Sequence, residues 1–212
     1  INPHFLYNTL DSIKWIAVIQ KNSGIVKVVT ALSGLLKNMA KGFHEKVTIA
    51  KELEFVNDYV TIEKIKYAEL FDVRISVEDP ELYRAGIVKL TLQPLVENAI
   101  FSGIEPSGKN GTIQINIYAR DGILYLQVRD DGVGIAPDKI ENLLKDTERV
   151  KGSRMSSIGI ANVDRRIKLT YGEEFGLTVA SELGVYTEVM IRMPLEFVDE
   201  GGQDYVQSDV GR

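Results

Sequence analysis

The residues Ile113-Gln114-Ile115-Asn116-Ile117 and Leu124-Tyr125-Leu126-Gln127-Val128, with Asp121-Gly122 between them, settle the architecture of this chain. Apolar and polar residues alternate on both arms, the mark of strands with one buried face. Asp-Gly supplies the left-handed backbone that a tight hairpin turn needs. The return arm runs straight into Arg129-Asp130-Asp131-Gly132-Val133-Gly134, so a buried strand delivers two carboxylates into a glycine-rich turn.

Outward from this hairpin, Phe71, Val73, Ile75 and Val77 alternate in the same way and predict another strand. Lys89 to Ile100 predicts a helix and Pro137 to Lys145 a short one. Ile160 to Tyr171 predicts a third, stopped by Gly172 just past its end. Leu177-Thr178-Val179 and Thr187 to Met193 predict the last strands, around a Glu182-Leu183-Gly184 turn. The polar, acidic tail, 196–212, predicts disorder.

The first third reads differently. Residues 1 to about 20 predict a helix, with Asn2 as cap and Pro3 at the first helical position; in a chain that continues upstream as helix, Pro3 is a kink. Leu6, Leu10, Ile13 and Ala17 form an apolar stripe, while His4 and Asn8 project together one turn apart. Asn22-Ser23-Gly24 is a turn, and Ile25, Val28, Val29, Leu32, Leu35, Leu36 and Met39 carry a second helix to about Lys41. Such a hairpin buries too little alone. Its stripes require either a second copy, giving a homodimeric four-helix bundle, or the remainder of the same chain. Gly42 to Lys46 connects, with His44 as an exposed loop residue. A third helix follows from Thr48 to Ala68, with Ile49, Leu53, Val56 and Val60 on one face. The fold class is α+β: a helical hairpin followed by a sandwich with helices on one face of a mixed, mostly antiparallel sheet.

Bulk composition narrows the function. Of 212 residues 44% are hydrophobic and 26% charged, an ordinary globular balance. The net charge of −5 suggests no general affinity for nucleic acid or anionic membrane. The absence of cysteine excludes disulfides and thiolate metal sites and fits a reducing compartment. No apolar run approaches the ~20 residues of a membrane span. The chain opens on Ile1 rather than methionine, so it reads as a fragment whose upstream part is missing; the fragment itself is expected to be soluble and cytoplasmic.

Several residues could carry chemistry. A histidine placed as His4 is can be a metal ligand, a general base, a group-carrying nucleophile, or an inert helix-start residue. A carboxylate at Asp130 can accept a hydrogen bond from an exocyclic amine, which adenine offers and guanine does not, with glycines admitting a flat ring; Asp-Gly turns also bind calcium, or nothing. In Leu92-Gln93-Pro94-Leu95-Val96-Glu97-Asn98-Ala99-Ile100, Asn98 can lend an amide oxygen to Mg²⁺ or be a satisfied helix amide. Ser156-Ser157-Ile158-Gly159-Ile160 opens a helix whose N–H groups suit phosphate, with Arg165 and Arg166 one turn in. Before it, Lys145, Arg149, Lys151, Gly152 and Arg154 read either as a lid over a triphosphate or as a surface loop.

Four motifs in this order resemble sensor histidine kinases of the LytS/YesM type: Asn-Pro-His-Phe-Leu-Tyr-Asn-Thr-Leu at 2–10, Leu-Gln-Pro-Leu-Val-Glu-Asn-Ala at 92–99, Asp-Asp-Gly-Val-Gly-Ile at 130–135 and Ile-Gly-Ile-Ala-Asn-Val at 158–163. The resemblance implies a dimerisation and phosphoacceptor region over 1–68 and, over 69–195, the ATP-binding domain shared with gyrase B, Hsp90 and MutL. By it, His4 is phosphorylated from ATP and passes the group to a response-regulator aspartate. Asn8 assists dephosphorylation of that regulator. Asn98 holds Mg²⁺, Asp130 meets the adenine amine, and Gly132, Gly134, Ile135, Gly159 and Ile160 line the nucleotide. Glu97 is a candidate base or orienting group. The intact protein is expected to be a homodimer anchored in the bacterial cell membrane by an upstream part, with a hinge near Tyr67 to Phe71.

The chain departs from the type in three places. Phe101 and Ser102 stand where Lys and His commonly follow Asn-Ala-Ile, and they put catalytic efficiency in question. Ser157 replaces the first glycine of the last motif. Residue 5 is Phe, as usual for this type, whereas many other histidine kinases place an acid there, so the general base stays unassigned. The competing readings are an ATP-binding conformational switch and a phosphatase.

Overall fold

Strands β2 (Phe71–Val77), β4 (Gly111–Arg120), β5 (Ile123–Asp130), β6 (Gly176–Glu182) and β7 (Tyr186–Pro194) form one sheet in the order β2-β4-β5-β7-β6. Only β2 and β4 run parallel; every other neighbour is antiparallel. The computed structural model describes residues 3–39, 45–67, 70–143 and 156–198.

The alternation read in the sequence sets which face is buried. Ile113, Ile115 and Ile117 of β4, Leu124, Leu126 and Val128 of β5, and Val189, Ile191 and Met193 of β7 all point into one core. Gln114, Arg120 and Arg129 lie on the opposite, exposed face. Asp121 (φ 50°) and Gly122 (φ 74°) form the left-handed turn expected between β4 and β5.

Helices cover the inner face. α3 (Ile49–Lys66) brings Ile49, Leu53, Val56 and Val60; α4 (Gln93–Asn98) brings Leu95 and Val96; α6 (Ser156–Tyr171) brings Ile160, Val163 and Ile167. Thr48 caps α3 by accepting the Lys51 N–H at 3.2 Å. Gly172 ends α6 at φ 111°, its N–H donating to Lys168 O. α6 begins at Ser156, one turn before the expected Ile160. A short α5 (Pro137–Leu143) lies after the Asp-Gly turn.

Two short strands escape any period count: β1 (Lys46–Thr48) and β3 (Gly86–Val88) pair antiparallel beside α3. Between β2 and β3 a 3-10 turn covers Pro80–Arg84, started by Pro80 after Asp79, whose side chain accepts the Glu81 N–H. Glu196–Val198, expected in a disordered tail, are held instead. Glu196 O accepts the Gly86 N–H at 2.8 Å, Phe197 bridges Ala85, and Glu196 pairs with Lys46 at 2.8 Å. Residues 199–212, Asn2, Gly42 and His44 lie outside the described residues, as do residues 68 and 69 of the expected hinge.

The helix expected from Lys89 starts only at Gln93. Glu52 of α3, fully buried, accepts the Leu90 and Leu92 N–H groups at 2.9 Å each. Arg166 of α6 donates to Lys89 O at 3.0 Å and Leu90 O at 2.6 Å. With both sides of this backbone taken and Leu90 at φ 59°, no helical turn forms before Gln93, and Pro94 suits the first turn.

α1 (Pro3–Ile19) and α2 (Ser23–Met39) form the expected hairpin, and α2 packs in turn on α3. The side of α1 turned to α2 carries Tyr7, Leu10, Lys14 and Ala17, and the Tyr7 hydroxyl donates to Leu36 O at 3.1 Å. Leu6 and Ile13, expected in the buried stripe, are exposed, along with Ile16 and Ile19. Among the described residues, no helix is long and apolar enough to cross a membrane.

Candidate active site

Asp130 is the last residue of β5 and is only 2% exposed. Its Oδ1 accepts the Gly132 N–H at 3.0 Å. Burial pushes its carboxyl up to about 7, because removal from water penalises the charge more than this one hydrogen bond favours it. The neighbouring Asp131 serves the sheet instead, its Oδ1 accepting the Thr112 N–H at 2.6 Å and fastening the start of β4. Thus one carboxylate of the pair is structural and the other is held in a dry place.

What holds Asp130 there is the continuation of α4. After Asn98 the helix widens into a π turn over Ala99–Ile104, with the Glu105 N–H reaching back to Ile100 O, then closes as a 3-10 turn over Glu105–Ser107. A π turn is a distortion found often at functional sites. Here it seats Gly103 on Asp130: a side chain at Gly103 would overlap Asp130 Oδ1. Gly103 O accepts the Val133 N–H at 2.9 Å, and a side chain at Gly132 would overlap the Gly103 carbonyl. Gly134, at φ 65°, lies against Glu182 O. At Gly132 and Gly134 the chain closes on itself and leaves no room for a side chain.

The last motif packs on α4. A side chain at Gly159 would meet Pro94 Cβ at 3.5 Å, so the first turns of α6 cross the start of α4. Ile160 is buried in the core, and Ile135, half-buried, donates its N–H to Ser181 Oγ at 2.8 Å. Arg166 does not point to a phosphate site; it holds Lys89 O and Leu90 O. The lid residues Lys145, Arg149, Lys151, Gly152 and Arg154 lie outside the described residues.

Asn98 is buried at the end of α4, on the helix whose π continuation carries Gly103 to Asp130. It suits Mg²⁺ as one neutral oxygen donor. Among the described residues no group of three or more His, Asp or Glu gathers to hold a metal, so an ion at Asn98 would take phosphate and water oxygens for the rest of its shell. Glu97 turns the other way. Burial raises its carboxyl, and the charge of Glu63 on α3 raises it further. Glu63 Oε2 is itself buried, with the Lys66 ammonium 3.6 Å away, and Tyr59 beside them is held protonated, by burial first and then by both carboxylates. Phe101 also faces α3, stacked edge-on with Tyr67 at 5.9 Å with the Lys66 ammonium over both rings. The Phe101 ring thus packs at the end of α3.

The sequence missed Gly103, Ser181 and Thr187. Thr187 is buried directly across from Asp130 in the β5–β7 register. Ser181 accepts from Ile135 and donates to Tyr186 O at 2.6 Å. Only the strand register could have pointed to them. His4 and Asn8 do meet, Asn8 Nδ2 lying 3.4 Å from His4 Nδ1 on the exposed side of α1. Asp130, Gly132, Gly134, Ile135, Asn98 and Gly159 share one end of the sandwich; His4 and Asn8 belong to the hairpin.

A buried aspartate closing a central strand, backed by a helix with an inward asparagine and by a glycine-opened helix, defines the ATPase domain of the histidine-kinase kind. The comparisons agree. Residues 85–197 match the family described as histidine kinase-, DNA gyrase B-, and HSP90-like ATPase, and residues 1–71 match the family described as histidine kinase. The chain is 37% identical over 194 residues to sensor histidine kinase YesM of Bacillus subtilis, covering 92% of this chain and 32% of that protein. It is 32% identical over 195 residues to sensor histidine kinase BtsS of Escherichia coli, covering 92% and 32%. The catalytic domain of histidine kinase ThkA has the same fold (TM-score 0.53, 17% identity, covering 71% of this chain and 95% of that one). The chain belongs to the sensor histidine kinases of the LytS/YesM type. It spans about a third of the length of the curated relatives it matches.

Proposed function

We propose that this chain is the kinase core of a two-component sensor, phosphorylating His4 from ATP and passing the group to an aspartate of a response regulator. The observation that carries the reading is Asp130, a buried carboxylate fixed by Gly132 and Gly103 at the mouth of an ATPase-type sandwich. Ionised, it accepts the adenine amine, which a guanine carbonyl cannot replace. Asn98 would hold Mg²⁺ beside the phosphates, where the ion would supply charge neutralisation.

The His4 ring nitrogen forms the P–N bond as the bond from the γ-phosphorus to its bridging oxygen breaks. ADP leaves with that electron pair, and the ring releases the proton of its other nitrogen to water. Positioning and charge neutralisation supply most of the acceleration. Asn8, one turn beyond and within reach of the ring, serves hydrolysis of the regulator's acyl phosphate. Glu97, turned to Glu63 and Tyr59 of α3, acts as an orienting group for the Asn98 turn.

By this reading residues 1–68 are the dimerisation and phosphoacceptor region and 69–195 the nucleotide-binding region, with α3 packed on both. The apolar surplus of the hairpin (Ile13, Ile16, Val18, Ile19, Ile25 and Leu32, all exposed) supports a homodimer, a second copy completing a four-helix bundle. The whole protein is held at the membrane by a part outside this chain.

The test is incubation with γ-labelled ATP. Acid-labile, alkali-stable label that disappears in His4→Ala is the expected result. Nucleotide uptake without label would mean a conformational switch, and regulator dephosphorylation without label a phosphatase.

A further inference from the structure

We propose that Glu52 of α3 is a positioning residue for the nucleotide site: through the backbone it grips at Leu90 and Leu92, it fixes where α4 begins and so where Asn98 stands. This rests on the assignment of Asn98 to Mg²⁺ made above and adds the group that places it.

α4 has only six residues, Gln93–Asn98. A helix that short is unstable by itself and lies where its ends are held. Its cap residue, Leu92, makes no side-chain hydrogen bond to it, and Pro94 has no N–H to offer. The acceptor for its start arrives from α3. Glu52, 0% exposed, takes the Leu90 N–H on one oxygen and the Leu92 N–H on the other, both at 2.9 Å, from 38 and 40 residues away in sequence. The Thr91 and Gln93 N–H groups also favour its charged form, against burial, which raises its carboxyl. Four successive N–H groups thus turn toward one carboxylate at the start of a helix, where the dipole favours negative charge.

The same backbone is gripped from the other side. Arg166 of α6 donates to Lys89 O at 3.0 Å and to Leu90 O at 2.6 Å, and the buried Thr91 hydroxyl donates to Val88 O at 2.5 Å. Hydrogen bonds are directional, so this grip sets the height and register of the helix start in a way that apolar packing does not. The two sides of the nucleotide site are held differently. Asp130 rides on β5 and is fixed by the Gly132 N–H. Asn98 rides on α4, about 9 Å along the axis from Leu92. A shift of the α4 start therefore reaches Asn98 while Asp130 stays on its strand.

The test compares the purified protein with Glu52→Gln and with Arg166→Lys, below the melting point of each. Gln keeps the shape but turns an NH₂ donor toward one of the two N–H groups. Lys at 166 loosens the same backbone without touching the Glu52 carboxylate, and it keeps the test open if Glu52→Gln does not fold. Calorimetry with a non-hydrolysable ATP analogue is run in Mg²⁺ and again in EDTA. In EDTA both variants should bind within about twofold of the parent. The gain in affinity that Mg²⁺ brings should shrink about tenfold, the scale expected when the support behind a metal ligand is removed. In nucleotide-free Glu52→Gln, the Leu90 and Leu92 amides should gain in hydrogen-exchange rate by more than those of β4 and β5. An undiminished Mg²⁺ gain in the variants overturns the proposal. So does an equal loss in Mg²⁺ and in EDTA, which would leave Glu52 a group of the fold alone. A parent that binds the analogue equally well in Mg²⁺ and in EDTA fails the assignment of Asn98 itself, and this proposal with it.

Discussion

The backbones of Gly132 and Gly103 touch: a side chain at Gly132 would reach within 2.6 Å of the Gly103 Cα and overlap its carbonyl. This contact joins the loop after β5 to the π turn after α4, and so sets the position of Asp130 between them.

Gly132→Ala must therefore push two backbones apart. Overpacking against backbone costs about 2–3 kcal/mol. Urea unfolding should show that loss, and calorimetry should show nucleotide affinity falling more than stability alone explains, because Asp130 moves with the loop.

Asp130 gives a pH signature. Its carboxyl is raised from 3.8 to about 7. The folded state therefore holds the proton more tightly than the unfolded chain does. This favours folding fully below pH 3.8 and is lost as pH climbs through about 7. In the nucleotide-free protein, Asp130→Asn should be the more stable form above pH 7, by on the order of 2–4 kcal/mol. The difference should vanish in acid. Adenine recognition needs the ionised form, so the parent's ATP affinity should drop about tenfold per pH unit below 7. Titration calorimetry across pH 5.5–8.5 checks both; a flat affinity would remove Asp130 from adenine recognition.

Glu52→Ala leaves the Leu90 and Leu92 N–H groups unpaired in the core and takes away a carboxylate that faces Arg166. The loss should be on the order of 3–5 kcal/mol. Glu52→Gln, which keeps one acceptor oxygen, should lose less. Chemical denaturation of the two variants separates the cases.

Phe101→Lys restores the residue common in this type, yet it should not raise activity. It removes a ring from Tyr67 and sets a second cation beside Lys66. A destabilisation of about 1–2 kcal/mol is expected. A faster His4 labelling rate would show that residue 101 faces the phosphates after all.

Asn8 is exposed, so Asn8→Ala should leave the melting temperature within about 1 °C. Phosphorylated regulator should persist severalfold longer with this variant, read by acid-stopped phosphate release.

Much of the sandwich was legible because its core strands alternate strictly: Ile113 to Ile117, Leu124 to Val128 and Phe71 to Val77 carry their own period. Lys46–Thr48 and Gly86–Val88 are too short to show one. The helix start at Gln93 could not be read locally, since it is decided by Glu52 and Arg166, respectively 41 residues before and 73 residues after it in sequence. Half of the α1 stripe held, with Leu10 and Ala17 turned inward as expected. Tyr7 and Lys14 take buried-side positions by lending their apolar stems, while Leu6 and Ile13 are left outside. Asp130 was legible from its motif. Thr187 and Ser181 were not, because only pairing across strands brings them there.

α3 bears on α2 along one side and on the sandwich core along the other, with the missing side chain of Gly34 letting Asp58 come close. Neither half can melt while the other keeps its full complement of neighbours. Heating should therefore give a single cooperative endotherm for hairpin and sandwich together, with the enthalpy of one unit.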